Sequence, residues 1–294
     1  MSSLFRKYAS VNLLPLLPVT PNFLTWRGHR IAHYQAGTGR PVLLIHSINA
    51  AASAFEMRGP FDHLGEGFAI HAIDLLGYGN SDRPDRRYWA EDYISQIELA
   101  LETIGQPTVI IASSLGAAYA VAASVRKPEL VSALILACPV GMGKLTEPPG
   151  AIANGFYNAL RGNAGAKLFE RLTTMGSIGY FLRSDAYHNP ASVTYLTQEA
   201  FYQACRRPGA HYAPICFLTR QLNCDIRTVF PRITQPTMII WGRYARTTPL
   251  RSADAFLAAN PRAHLEVIDH AAMLVQDECP TDFSEICRNW IASL

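Results

Sequence analysis

Ile110-Ile111-Ala112-Ser113-Ser114-Leu115-Gly116-Ala117-Ala118 is the stretch whose reading decides the fold. An apolar run with β-branched residues ends in a small-x-Ser-x-small turn, and an alanine-rich helical pattern follows at once. Ala112 and Gly116 flank the serine with almost no side chain, so the backbone can reverse sharply between strand and helix. The helix that begins behind Ser114 directs unsatisfied N–H groups and a positive dipole end toward whatever stands at the turn. Such a turn presents a serine hydroxyl and offers a backbone donor, the Leu115 N–H, to a developing oxyanion. A serine that merely begins a helix is the competing reading, and the rest of the chain must decide between them.

Outward from this turn the chain alternates short apolar runs with helical patterns. Strands are expected at 24–26, 30–36, 42–45, 69–73, 108–112, 133–137, 237–241 and 264–268. The first two flank Gly28 and read as an antiparallel hairpin. The others carry the continuous apolar character of parallel strands covered on both faces. Helical spacing appears at Tyr93, Ile97, Leu101 and Ile104, and again at Phe283, Ile286, Cys287, Trp290 and Ile291. The expected fold is therefore α/β, a mostly parallel sheet with helices on both faces. From 141 to 230 the rhythm breaks: a Gly/Pro-rich opening gives way to helical, aromatic sequence. That block reads as a helical cap inserted after the sixth strand, with 1–140 and 231–294 forming the core. It is expected to lie over the carboxyl edge of the sheet, where open parallel sheets bind ligands.

Composition narrows the function. A chain of 294 residues can bury a large core without disulfides, and 49% hydrophobic against 17% charged residues is the balance of a globular protein. The net charge of +3 is small and its cations are scattered, apart from Arg206-Arg207 and the 83–87 stretch, which excludes a dense nucleic-acid footprint. Six cysteines without C-x-x-C spacing suit neither a zinc site nor a disulfide framework. His29, His33, His63, His71, His188 and His264 show no ligand spacing, so neither metal nor cofactor is expected. The apolar run 11–19 is broken by Pro15 and Pro18 and is too short to span a bilayer. Following Arg6 and Lys7, it allows no more than weak membrane-surface association. The cytoplasm is the expected location.

Five motifs in order resemble those of the α/β-hydrolase superfamily. Leu43-Leu44-Ile45-His46-Ser47 is similar to the apolar strand that ends in His-Gly in that family. The elbow around Ser114 follows the nucleophile motif. Asp74-Leu75-Leu76-Gly77-Tyr78-Gly79-Asn80-Ser81-Asp82 resembles its D-x-x-G-x-G-x-S-D loop. Pro236 to Arg243 resembles the strand leading to its catalytic acid, and Glu278-Cys279-Pro280-Thr281-Asp282-Phe283 its E-x-P-x-x-F. The resemblance implies Ser114 as nucleophile and Leu115 and Ile48 as oxyanion donors. It also marks two departures. Ala245 stands where W-G-x-x-D-x-x-x-P has its acid, and Met273 where G-H-x-x-x-x-E-x-P has its histidine. His46-Ser47 further replaces His-Gly.

Two readings follow. In the first, the chain is a serine hydrolase acting on a small to medium apolar ester or related carbonyl compound through a rearranged triad. Ser114 is then the nucleophile, His270 the base, and Asp225 or Asp269 the acid. In the second, it is a ligand-binding member of the fold, catalytically inactive or non-hydrolytic, with a small apolar molecule as partner. The choice matters because a serine needs a base: losing the acid typically lowers the rate by about 10⁴, and losing the histidine by about 10⁶.

Overall fold

The computed structural model describes residues 15–294. Of the N-terminal apolar run, the part up to residue 14 lies outside the described residues, as do Arg6 and Lys7; Leu16 and Leu17 are buried in the core. Eight strands form one sheet: β1 (Asn22–Trp26), β2 (His29–Ala36), β3 (Arg40–Ile45), β4 (Phe68–Ile73), β5 (Thr108–Ser113), β6 (Val131–Ala137), β7 (Thr237–Gly242) and β8 (His264–Ile268). Their spatial order is β1-β2-β4-β3-β5-β6-β7-β8. β1 and β2 pair antiparallel, as does β2 with β4, and every later pair is parallel. All eight expected strands are present, most of them one or two residues longer than their apolar runs.

The parallel strands are buried on both faces, which is why they read as unbroken apolar runs: β5 and β7 have no residue open to solvent. The chain leaves β3 in one direction to form β4 and then returns past β3 to form β5. Right-handed crossovers therefore put α1 (Arg58–His63) on one face and α2 (Ala90–Ile104) on the other. α3 (Ser114–Arg126) packs on α2, and the last helix, α11 (Pro280–Ala292), packs on α1. The reversal of strand order falls between β3 and β5. Ligands of open α/β sheets bind at such a point, beyond the carboxyl ends of the strands.

Between β6 and β7 the chain forms helices only, among them α4 (Ala151–Leu160), α5 (Asn163–Leu172), α6 (Met175–Phe181), α7 (Tyr195–Arg206) and α8 (Tyr212–Leu218). α9 (Ala253–Ala259) connects β7 to β8, and α10 (Val275–Glu278) precedes α11. Among the described residues no helix is long and apolar enough to cross a membrane. All six cysteines are buried free thiols.

Candidate active site

The turn after β5 has the geometry its sequence demands. Ser113 is extended, and Ser114 adopts φ +53°, a left-handed conformation that costs a non-glycine residue about 1–3 kcal/mol. α3 begins at that residue. Gly116 permits this: a Cβ there would stand 2.2 Å from the His46 carbonyl oxygen, so only a glycine lets α3 approach the end of β3 this closely. Ser114 retains 9% exposure at the mouth of the core. Among the described residues, no side chain hydrogen-bonds its hydroxyl.

The second wall is the loop leaving β3. His46 is fully buried and spans it: Nε2 accepts from the Leu75 N–H at 3.0 Å, and Nδ1 lies 2.5 Å from the Ser47 carbonyl. Burial lowers its pKa, so the ring stays neutral and organises the loop. Ser47 N–H donates to Glu56 Oε2 at 2.9 Å, and the Asn49 amide donates to Glu56 Oε1 at 2.7 Å and to Ser47 Oγ at 2.9 Å. Asn49 Oδ1 accepts from the Ala51 N–H at 2.7 Å. No acceptor among the described residues takes the Ile48 N–H. Leu115 N–H, in the first turn of α3, is likewise without an intrahelical acceptor. Both N–H groups are thus without an acceptor among the described residues.

The two departures lie on the loops that follow β7 and β8, and a side-chain contact joins those loops. Thr247, two residues after Ala245, donates its hydroxyl to the Met273 sulfur at 2.9 Å. Ala245 and Met273 are both buried. The loop carrying Met273 lies over the carboxyl ends of β6 and β7: a Cβ on Gly242 would meet the Ala272 carbonyl at 2.0 Å, and the Cys138 sulfur lies 3.9 Å from the same oxygen. Burial pushes the Cys138 thiol up to about 12, so it supplies no thiolate. Glu278 anchors the loop, accepting from the Ala272, His188 and Asn189 N–H groups at 2.8, 2.9 and 2.7 Å. An O–H···S contact therefore occupies the corner linking the acid and histidine positions of the family motif.

The candidate replacements are placed elsewhere. His270 Nε2 lies 2.9 Å from Asp282 Oδ2 on α11, and its side chain is 65% exposed. No hydrogen bond joins it to Ser114 among the described residues. Asp269 pairs with Arg243 at 2.5 Å. Asp225 pairs with Arg227 at 2.7 Å and accepts that residue's N–H, forming a local turn. Both carboxylates are surface ion pairs, and neither hydrogen-bonds His270. His211 packs against Tyr212 and Phe169. Among the described residues no group of three or more His, Cys, Asp or Glu side chains could hold a metal ion.

Sequence reading passed over the buried acids Glu56 and Asp277 and the half-buried Asn49. Glu56 and Asn49 stand in an otherwise small and apolar stretch just after the His46 motif, and that contrast was the available signal. Burial raises Glu56 to about 7. It raises Asp277 to about 6, against the opposing pull of Arg58, whose Nη2 lies 3.0 Å away.

Residues 42–286 match the model of the alpha/beta hydrolase family. The chain is 25% identical over 261 residues to 2-(acetamidomethylene)succinate hydrolase of Mesorhizobium japonicum, covering 87% of this chain and 90% of that one. It is 26% identical over 275 residues to 2-hydroxy-6-oxo-6-(2'-aminophenyl)hexa-2,4-dienoic acid hydrolase of Metapseudomonas resinovorans, covering 92% and 90%. Among solved structures, it resembles a serine hydrolase involved in carbazole degradation, with a TM-score of 0.77 at 19% identity over 94% of this chain and 99% of the other. It also resembles a thermophilic esterase from Thermogutta terrifontis, with a TM-score of 0.73 at 19% identity over 94% and 98%.

Proposed function

The chain belongs to the alpha/beta hydrolase family, and on that footing we propose that it is a serine hydrolase of carbonyl compounds with Ser114 as its nucleophile. The observation that carries this reading is the left-handed Ser114 at the head of α3: a strained serine beside free N–H donors is costly to keep for packing alone. Ser114 Oγ attacks the substrate carbonyl, and the oxygen that gains charge is held by the Leu115 and Ile48 N–H groups. The leaving group departs with a proton, and water then cleaves the acyl-serine. The helices between β6 and β7 act as a cap over this site, and a small to medium apolar ester or related carbonyl compound is the substrate class. The two curated relatives are, by name, hydrolases of an acetamido compound and of an oxo acid, both carbonyl substrates.

The serine requires a base. With Met273 at the histidine position, His270 is the remaining candidate, and it must leave Asp282 to serve. Oxyanion donors and binding alone sustain about 10³–10⁴ over the uncatalysed reaction. The Thr247–Met273 contact favours a second reading, a binding protein for carbonyl ligands that keeps the pocket and has lost turnover.

Labelling by a fluorophosphonate, followed by intact mass, separates the two. Rapid labelling that is abolished in Ser114→Ala and in His270→Ala is the expected result for a hydrolase with a rearranged triad. Well-folded protein that stays unlabelled overturns that assignment in favour of the binding protein.

A further inference from the structure

Glu56 is a fully buried carboxylate with which no cation pairs among the described residues. The nearby guanidinium of Arg58 is engaged with Asp277. An unpaired buried carboxylate is expensive, and a polar core residue could be replaced at lower cost by an apolar one unless something requires an acceptor-only group. Here two donors converge on it, the Ser47 N–H and the Asn49 amide, one on each oxygen. Asn49 in turn holds Ser47 Oγ and the Ala51 N–H. The side-chain hydrogen bonds on the Ser47 and Ala51 N–H groups therefore lead back to Glu56, directly or through Asn49, while the Ser47 and Ala50 carbonyls are held by His46 and Cys205. Ile48 lies between the two residues that Glu56 grips. The Glu56 backbone carbonyl also accepts from the Gln276 side chain at 3.3 Å, on the helix that follows Met273.

We propose that Glu56 is a positioning residue for the oxyanion loop, holding the Ile48 N–H in its donor position only while the Glu56 carboxylate is ionised. The inference rests on the reading of Ile48 as an oxyanion donor. Protonation would turn one acceptor oxygen into a donor facing a donor, and one of the two grips would be lost. The titratable groups that act on Glu56 are Asp277 from α10 and Tyr78 from the 74–82 loop, while Arg58 from α1 is paired with Asp277. Of these, Asp277 opposes ionisation of Glu56, so the two buried acids titrate as neighbours. Burial raises Glu56 to about 7, which puts the change in the neutral range.

The test is amide hydrogen exchange, corrected for intrinsic rates and read by mass on peptides covering 46–57, at pH 5 and pH 8. Wild-type protection at 47–51 is expected to fall about tenfold from pH 8 to pH 5, the loss of one hydrogen bond. Glu56→Gln should exchange at the faster rate at both pH values, because its amide presents a donor to one of the two grips. Peptides from β6 should not respond. Asp277→Asn serves as the control for a second buried acid and should keep the contrast. Asn49→Ala should loosen the same amides, and it carries the test if Glu56→Gln fails to fold. Equal protection in wild type at both pH values, or wild-type protection in a folded Glu56→Gln, overturns the proposal. Exchange needs no turnover, so an unreactive Ser114 would defeat the hydrolase reading and leave this result interpretable.

Discussion

Ser114, Ala245 and Met273 carry the functional question, and each can be changed alone. Ser114 has a left-handed backbone, while the two other positions are apolar and buried, with Thr247 near Ala245 in sequence donating to Met273. If the corner between them is a triad site emptied of its chemistry, refilling it should restore function. The double variant Ala245→Asp with Met273→His is expected to raise the rate of fluorophosphonate labelling of Ser114 by about 10⁴ or more, the combined effect of a base and its orienting acid. Either single variant should gain much less, because an unoriented imidazole and an unpartnered carboxylate each lack half of the device. A double variant that folds and labels no faster than wild type would show that the motif register places these residues wrongly.

At the scale of elements, the site depends on how closely α3 approaches the end of β3. Gly116 leaves room for the His46 carbonyl, and the same carbonyl begins the loop that holds Ile48. Gly116→Ala must push these two elements apart. The expected destabilisation is about 1–3 kcal/mol, the range for forcing one methyl into a packed interior, measured by urea unfolding. Because the displacement widens the gap between the Leu115 and Ile48 donors, any reactivity of Ser114 should fall as well. A variant as stable as wild type would mean that α3 slides without cost, and the tight elbow would lose its explanation. The loop carrying Met273 is a second such element: Glu278 ties it to the segment around His188, so the core and the helices between β6 and β7 are joined there.

For the whole molecule, buried titratable groups set the pH dependence, among them Glu56, Asp277 and His33. Glu56 and Asp277 are raised to about 7 and about 6, and His33 is lowered to about 4 by burial and by its neighbour His71. A raised carboxylate holds its proton more tightly when folded. Its contribution therefore favours the fold below the unfolded pKa and is lost as pH rises through the folded one. A lowered histidine acts in the opposite sense, costing stability as pH falls from about 6.5 toward 4. Stability relative to Glu56→Gln should accordingly decline as pH rises from about 4.5 to 7 and then level off, by up to about 1.4 kcal/mol per unit of pKa shift. Urea midpoints for both proteins at pH 5, 6, 7 and 8 check this, and parallel curves would contradict it.

Local sequence determined the eight strands and the elbow of this protein, because both are written in short-range patterns. Buried parallel strands need unbroken apolar runs, and a sharp turn needs small residues on either side of Ser114. Motif spacing likewise marked Ala245 and Met273 as departures. Tertiary structure alone decided what surrounds Ser114. His270 and Asp269 are adjacent in sequence yet pair with Asp282 on α11 and with Arg243 after β7, and Asp225 closes a turn of its own. Glu56 reads as an ordinary charged residue until the fold encloses it beside Ser47 and Asn49. For His270, Asp269 and Glu56 the physical reason is the same: a titratable side chain acquires its role from its burial or exposure and from partners outside its immediate neighbours, whereas Asp225 finds its partner two residues away.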